Sequence, residues 1–316
     1  MLVYFRVPCI FIDVTEKVLL LIKVKRTAEM DATTPPFLQD KSELLSFSDS
    51  LDNNEKVPTM QLRGRIALLN VLKLCWKKKN LQKVRRIHAE LIEKNLIGND
   101  CHIATAFITT YAKCGVMEEA RDVFEKIQVR NVVSWSVLIS GYIQNGLSHE
   151  ALRCFERMRD DSVCADAITY VSVLKACGIV RSLEIGEYVD LEVRKQGLLE
   201  KDVILGNALA DMYSKCGALQ KAREVFDQLR VRDVISWSSL ISGYVQQGLG
   251  HEALQCFQEM QDTGICPNAV TYISVSKACG IIGSLEIGED IYVKIRKQGL
   301  LHKDIVLGTI LVDMYS

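Results

Sequence analysis

The sequence predicts an all-α protein built as a solenoid of antiparallel helix pairs, and three observations support this prediction. Long stretches recur at an interval of 102 residues, as between Trp135 and Trp237. Apolar residues recur at three- and four-residue steps within each stretch, and glycines fall at fixed places between these runs. Such periodicity is typical of helical repeat architectures. The composition, 48% hydrophobic and 25% charged over 316 residues, is ordinary for a protein with a packed core.

The 102-residue interval divides into three smaller units. The segment Val-Ser-Trp-Ser at 133–136 recurs as Ile-Ser-Trp-Ser at 235–238, and Lys-Ala-Cys-Gly at 175–178 recurs at 277–280. These matches define long, short and standard units. The long units are 65–100, 167–202 and 269–304, the short units are 101–131 and 203–233, and the standard units are 132–166 and 234–268.

Each unit is predicted to be two helices joined by a glycine turn. In 234–268, one apolar face recurs at helical spacing before Gly248, and a second follows it at Ala253, Leu254, Phe257 and Met260. Equivalent turn glycines are Gly115, Gly146 and Gly217, and equivalent small residues in the second helix are Ala120, Ala151 and Ala222. A pair this short cannot bury its apolar faces alone, so stacked neighbours complete the core and leave a long concave groove.

Two domains are predicted. Residues 1–64 form an N-terminal extension, interpreted as a targeting segment plus a linker, although acidic residues interrupt its basic composition. Residues 65–316 form the solenoid, whose last repeat begins at Ile305 and is expected to be incomplete. No apolar run reaches the roughly 18 residues of a membrane-spanning helix, so no membrane partner is expected.

Charge and cysteine usage further limit the class of protein and its redox compartment. A formal net charge of zero argues against a sequence-blind binder of nucleic acid. Nine of the 11 cysteines lie in repeated columns, as small core or groove-filling residues do, and one such column is Cys75, Cys177 and Cys279. We therefore expect a reducing compartment rather than a disulfide framework.

Three motifs identify the repeat type. They are Val-x-Ser-Trp-Ser-x-Leu-Ile-Ser-Gly-Tyr, Gly-x-x-x-Glu-Ala-Leu-x-Cys-Phe-x-x-Met, and Asp-Met-Tyr-Ser-Lys-Cys-Gly at 211–217. Over 65–316 the chain resembles the pentatricopeptide-repeat family, in particular its land-plant subclass with alternating standard, long and short repeats. The Trp-x-x-Leu-Gly opening of tetratricopeptide repeats is missing. The resemblance implies a right-handed superhelix that binds single-stranded RNA in a mitochondrion or chloroplast.

The resemblance also implies base-reading residues, because in this family the fifth and last residues of a unit select one base. Matching this chain to that pattern pairs Thr105 with Asn131, Ser136 with Asp166, Asn207 with Asp233, and Ser238 with Asn268, and it adds Thr309 as the fifth residue of the last unit. These pairs predict the RNA motif A-G-x-U-A. The long units carry Leu69, Val171 and Ile273 at the fifth place, and an aliphatic side chain cannot read a base edge by hydrogen bonding.

Two further columns follow from the resemblance. The second residue of a unit sandwiches the base, which assigns Val133, Ile204 and Ile235, together with Ile168 and Val270, whereas His102 departs from this apolar pattern. Lys113 and Lys215 match the phosphate-contacting lysine, and the standard units have Gln144 and Gln246 there.

Simpler interpretations remain open for several of these residues. An Asp or Asn at a unit boundary is also an ordinary helix N-cap, and Trp135 and Trp237 fit a core better than a base platform. His88-Ala89-Glu90 has half the spacing of a deaminase zinc site, but no Cys-x-x-Cys follows, and an exposed helix face is the simpler interpretation.

We therefore predict no catalytic centre, no metal and no cofactor, with an RNA-processing or editing protein supplied in trans as a further partner. The alternative function is a protein-binding helical scaffold of the tetratricopeptide type. The fifth-residue column discriminates between the two, because a protein-binding groove has no reason to be polar in standard and short units and apolar in long ones.

Overall fold

The computed structural model describes residues 62–94, 96–97 and 100–300, together with residues 307, 308 and 310. The predicted N-terminal extension, apart from its last three residues, lies outside this part of the chain. So do Thr309 and most of the last repeat.

The described residues form seven consecutive helix pairs and contain no strand, which confirms the predicted all-α repeat fold. The first helices of the pairs are α1 (Leu62–Lys77), α3 (Cys101–Cys114), α5 (Val132–Gln144), α7 (Ala167–Val180), α9 (Val203–Lys215), α11 (Val234–Gln246) and α13 (Ala269–Ile282). The second helices are α2 (Leu81–Glu93), α4 (Met117–Glu125), α6 (Ser148–Asp160), α8 (Leu183–Lys195), α10 (Leu219–Gln228), α12 (Gly250–Asp262) and α14 (Leu285–Lys297). None of the described helices is long and apolar enough to cross a membrane.

Short polar side chains start the first helices. From α3 to α13, each first helix follows an Asp or Asn whose side chain accepts hydrogen bonds from backbone amides in the first turn, namely Asp100, Asn131, Asp166, Asp202, Asp233 and Asn268. An N-cap of this kind satisfies amides that have no partner within the helix. The unit boundaries predicted from the repeat therefore coincide with the starts of these helices.

The first helices form one layer and the second helices another. Successive first helices pack side by side, and each second helix from α2 to α12 contacts the first helix of its own unit and that of the next. Among the described residues, no Cα atoms of successive second helices lie within 8 Å of one another. The second-helix layer is therefore more widely spaced, and the stack must curve with its concave face on the first helices.

Aromatic and small residues fill the space between the layers. Trp135 is fully buried, and its ring lies 4.5 Å from that of Phe124 in an edge-on contact. Trp237 repeats this contact with Phe226 at 4.6 Å. The alanine column of the second helices is fully buried, which lets the helices of a pair approach closely. Both tryptophans therefore belong to the core.

The cysteine columns are only partly buried. Cys75, Cys177 and Cys279 are buried, as are Cys154 and Cys256. Cys114 and Cys216 are partly buried, and Cys164 and Cys266 are exposed in the loops after α6 and α12, so not every repeated cysteine column belongs to the core.

The turn that follows α7 contains a strained residue. Arg181 has φ 61°, in the left-handed region, at the position where the next long unit has Gly283 with φ 67°. A side chain in this region costs about 1–2 kcal/mol, which a glycine would avoid. Part of this gain in stability is offset because glycine loses more backbone entropy on folding. We expect Arg181→Gly to raise the free energy of unfolding by about 0.5–1 kcal/mol.

Chemical denaturation of wild type and variant would measure this effect. The matched change Gly283→Arg provides the control, because it introduces the same strain in the equivalent turn and should lower stability. An Arg181→Gly variant less stable than wild type would show that the Arg181 side chain contributes more than its backbone strain costs.

Candidate nucleic-acid interface

The concave layer carries a row of exposed aliphatic side chains. Val133, Ile204, Ile235 and Val270 are the second residues of their units and are 38%, 56%, 51% and 55% exposed. A single exposed aliphatic residue is normal on any protein. A column that recurs at one place in successive first helices instead provides regularly spaced apolar contacts along one surface. Ile168 of the long unit belongs to the same column but is less exposed, and His102 is exposed.

The fifth residues lie about one helical turn after the second residues in the same helices and are more buried. Ser136 and Ser238 are 5% exposed and Asn207 is 7% exposed, while Thr105 is half-buried. Asn207 donates from Nδ2 to Oδ1 of Asp233 at 3.1 Å, and its own Oδ1 is buried without a partner among the described residues. The structure thus brings the fifth and last residues of this unit into direct contact.

A threonine links the corresponding pair in the next unit. The hydroxyls of Ser238 and Thr271 lie 2.7 Å apart, and Thr271 Oγ1 donates to Oδ1 of Asn268 at 3.0 Å. Thr169 likewise donates to Asp166 Oδ1 at 2.6 Å. Thr169 and Thr271 were not predicted as site residues, although each lies three residues after the capping residue, where a capping partner is common. The Thr105 hydroxyl bonds to His102 O at 3.0 Å instead of reaching Asn131.

The last residue of each unit uses only one of its two side-chain polar atoms for capping. Oδ1 of Asn131 accepts from Ser134 N at 3.0 Å, and Oδ1 of Asp166 accepts from Thr169 N at 2.8 Å. Oδ1 of Asp233 and of Asn268 accept in the same way. The second atom stays outside the cap. It is an amide donor, Nδ2, in the two asparagines and a carboxylate acceptor, Oδ2, in the two aspartates. N-capping and base reading are therefore compatible roles.

The two lysines assigned to phosphate already have neighbours. Lys215 forms an ion pair with Asp211 at 2.6 Å, one turn earlier on α9. The Lys113 ammonium lies 4.2 Å from the ring centroid of Trp76. Neither lysine is fully exposed. A phosphate contact by Lys215 would have to compete with Asp211.

The zero net charge of the chain conceals a separation between the two layers. In the six units from α3 to α14, the first helices carry four lysines and one aspartate, whereas the second helices carry eleven basic and nineteen acidic residues. The acidic caps lie at the N-terminal ends of the first helices, and the lysines lie in their second halves. An anionic strand would therefore meet positive charge along the C-terminal side of the concave layer.

His88 does not lie on an exposed helix face, so that interpretation is wrong for His88, whereas Ala89 and Glu90 are exposed. His88 is half-buried between α2 and α3, with Nδ1 2.9 Å from the hydroxyl of Tyr111. Glu90 forms an ion pair with Arg86. The described residues contain no group of three or more His, Cys, Asp or Glu side chains that could hold a metal ion. His88 therefore has a structural contact rather than a metal ligand's surroundings.

The His88 environment predicts a specific pH dependence of stability. Burial, together with the charge of Lys126, lowers the pKa of His88 from its ordinary 6.5 to about 4. The folded chain therefore binds this proton less readily than the unfolded chain, and stability is lost as the pH falls from about 6.5 towards about 4. Because glutamine does not titrate, the free energy of unfolding of His88→Gln should fall by about 1–2 kcal/mol less than that of wild type over this pH range. This magnitude is reduced to allow for the partial exposure of the ring. The free energy of unfolding of both proteins would be measured between about pH 7 and about pH 4.5. An equal dependence on pH in the two proteins would contradict a lowered pKa of His88.

The fold and this surface together define a class of protein, the α-helical repeat solenoids that present a concave face of matched columns to an extended ligand. A model described as "PPR repeat family" matches residues 130–178 and 232–280, and one described as "PPR repeat" matches 103–132 and 207–234. The chain belongs to the pentatricopeptide-repeat family.

Relatives from Arabidopsis thaliana agree with this membership and are consistent with the plant subclass. A pentatricopeptide repeat-containing protein named chloroplastic is 35% identical over 255 residues, which are 81% of this chain and 41% of the relative. Another, named mitochondrial, is 36% identical over 251 residues, or 79% of this chain and 36% of the relative. The chain thus spans about two fifths of the length of these curated relatives.

Solved structures show the same fold. The crystal structure of the pentatricopeptide repeat protein PPR10 from maize matches with a TM-score of 0.58 and 18% identity, over 87% of this chain and 38% of that one. The structure of PPR10 in complex with an 18-nt psaJ RNA element matches with a TM-score of 0.66 and 21% identity, over 87% of this chain and 40% of that one.

Proposed function

We propose that this chain binds single-stranded RNA along its concave layer and reads one base with each short or standard unit. The observation that carries the proposal is the combination found in units 203–233 and 234–268. A largely buried fifth residue lies near a capping residue that keeps one polar atom outside its cap, and the second position is exposed on the same helix face. The relative of known structure that is bound to RNA supports the ligand class.

The free atom of the capping residue supports a specific base for each unit. The Nδ2 donor of Asn131 and Asn268 suits adenine, whose N1 is an acceptor. The Oδ2 acceptor of Asp166 and Asp233 suits guanine or uracil, which present an N–H at the corresponding place on the Watson–Crick edge.

The fifth residue then separates purine from pyrimidine by size. Serine or threonine leaves room for a purine at Thr105, Ser136 and Ser238, whereas the larger Asn207 amide fits a pyrimidine. Asp233 keeps its Oδ2 outside the cap as an acceptor for an N–H donor, whereas Oδ1 of Asn207 is buried. A base with an N–H donor between two carbonyls, uracil, fits this unit. With protein and RNA parallel, as the family implies, the motif is A-G-x-U-A.

The place of action is proposed from the relatives, several of which are named chloroplastic or mitochondrial. We propose that the chain selects a site on an organellar transcript and that another protein, bound in trans, supplies any RNA-processing or editing chemistry. The fifth-residue column is polar in the short and standard units and aliphatic in the long units, and this pattern gives no support to the protein-scaffold alternative.

Asn268→Asp provides the test of base reading. Aspartate keeps the cap, because Oδ1 can still accept from Thr271, but it replaces the free donor with an acceptor. The preferred final base should change from A to G, with a change in relative affinity of about tenfold or more if one base-edge contact contributes about 1–3 kcal/mol, by analogy with DNA readout. Wild type and variant would be titrated with oligonucleotides ending A-G-x-U-A or A-G-x-U-G at one fixed salt concentration.

A matched control is the same substitution in the equivalent capping residue Asn131, which should change the preference at the first base and leave the last base alone. Melting temperatures should stay close to that of wild type because both residues cap equally well. Equal affinity of every protein for every oligonucleotide would refute base reading and favour the scaffold.

A further inference from the structure

The long units present a lysine to the concave layer at a place where no other unit has one. Lys73, Lys175 and Lys277 are the ninth residues of the three long units, separated by the 102-residue interval. All three are exposed. The ninth residues of the other described units are Thr109, Ser140, Asp211 and Ser242. A positive charge at the ninth place is thus specific to the units whose aliphatic fifth residue cannot read a base.

The geometry of an α-helix places these lysines on the concave face. The ninth residue follows the second by seven residues, or about two turns, so both belong to one stripe along the helix. It precedes by four residues, about 6 Å of helix rise, the thirteenth position at which short units carry Lys113 and Lys215. In two of the long units that thirteenth place holds the exposed aliphatic residues Ile179 and Ile281.

The surroundings of these lysines leave their charge unneutralised. None of the three forms an ion pair or a hydrogen bond with another described residue. By contrast, Lys215 is ion-paired with Asp211, and six of the eleven basic residues on α4 to α14 second helices are held in ion pairs, namely Arg153, Arg157, Arg194, Lys195, Lys221 and Arg223. A free ammonium is a strong partner for a phosphate because no existing contact has to be broken.

We propose that Lys73, Lys175 and Lys277 each bind a backbone phosphate, so that the long units hold the RNA strand while the short and standard units read it. This inference rests on the proposed function and assigns a role in RNA binding to the long units. A lysine contacts phosphate as a point charge and needs no particular base, which suits a unit that skips one.

The salt dependence of binding tests the proposal. Neutralising one phosphate contact on single-stranded nucleic acid contributes about 0.7 to the slope of log affinity against log salt. The triple variant Lys73→Gln, Lys175→Gln, Lys277→Gln should therefore reduce the magnitude of that slope by about 2. The preference of A-G-x-U-A over A-G-x-U-G should remain as in wild type, because the reading pairs are untouched.

The control is a second triple variant, Lys94→Gln, Lys126→Gln, Lys297→Gln, which removes the same charge from exposed lysines at the C-terminal ends of second helices. Its slope should stay close to that of wild type. Equal reductions in both triples, or none in the first, would overturn the proposal while leaving RNA binding intact. Absence of RNA binding by wild type would instead overturn the proposed function, and this inference with it.

Discussion

Replacing Ile204 and Ile235 together by aspartate is expected to reduce RNA affinity by about a hundredfold or more while leaving the fold unchanged. Both side chains are more than half exposed on the concave layer, so little core packing is lost. Each substitution removes an apolar contact with a base and adds a negative charge beside the phosphates. Burying the exposed half of an isoleucine side chain contributes about 1–1.5 kcal/mol, so the two lost contacts account for about 2–3 kcal/mol, or roughly a hundredfold in affinity.

Stability should be retained because the two aspartates lie in the first turns of α9 and α11, where the helix dipole favours negative charge. Circular dichroism melting would check the fold, and titration with the A-G-x-U-A oligonucleotide would measure affinity. The control is Leu191→Asp with Val293→Asp, the same kind of change at exposed residues of the second helices α8 and α14. If both double variants weaken binding equally, the concave layer is not the RNA surface.

Gly243→Ala is expected to destabilise the solenoid by about 2 kcal/mol, although alanine favours a helix more than glycine does. A Cβ at Gly243 would lie 2.6 Å from Cβ of Ser214, on the preceding first helix α9. Neither atom can turn away as the end of a flexible side chain could. The helices would therefore have to separate, and the layer of first helices would lose its close packing.

Gly280→Ala provides the opposite expectation for the same chemical change. Gly280 lies within α13, and a Cβ there would meet nothing within 4 Å. Helix propensity should then dominate and raise stability by about 0.5–1 kcal/mol. Urea unfolding of both variants would measure the pair. If both variants were destabilised by a similar amount, the close approach of α11 to α9 would not explain why position 243 requires glycine.

The sequence predicted the fold because the repeat, the helix caps and the turn glycines can be recognised without knowledge of any tertiary contact. The starts of the first helices from α3 onward are fixed by Asp and Asn caps, and several turns by glycines such as Gly115 and Gly248, which have positive φ values. Where a turn lacks glycine, as at Lys79 and Arg181, the sequence carried no local sign of the left-handed residue. Only the equivalent position Gly283 in the next long unit points to it.

The candidate site was predictable in its columns but not in its contacts. The repeat gives the register of residues such as Asn207 and Asp233, and the family resemblance gives their proposed role. It does not reveal that Asn207 Nδ2 bonds to Asp233, or that Thr271 connects Ser238 to Asn268. Asn207 and Asp233 are 26 positions apart, and Ser238 and Thr271 are 33 positions apart, so these two contacts depend on how successive first helices pack.

By itself, then, the sequence determined the units, their helix pairs, the family and the residues that share each helix face. The tertiary structure decided which of those faces stay open. It left Ile204 and the lysines of the long units exposed, placed His88 against Tyr111, and required glycine where α11 meets α9. The physical reason is that periodicity within a helix fixes the direction of each side chain, whereas burial, pKa and free hydrogen-bonding atoms depend on the neighbouring helix packed against it.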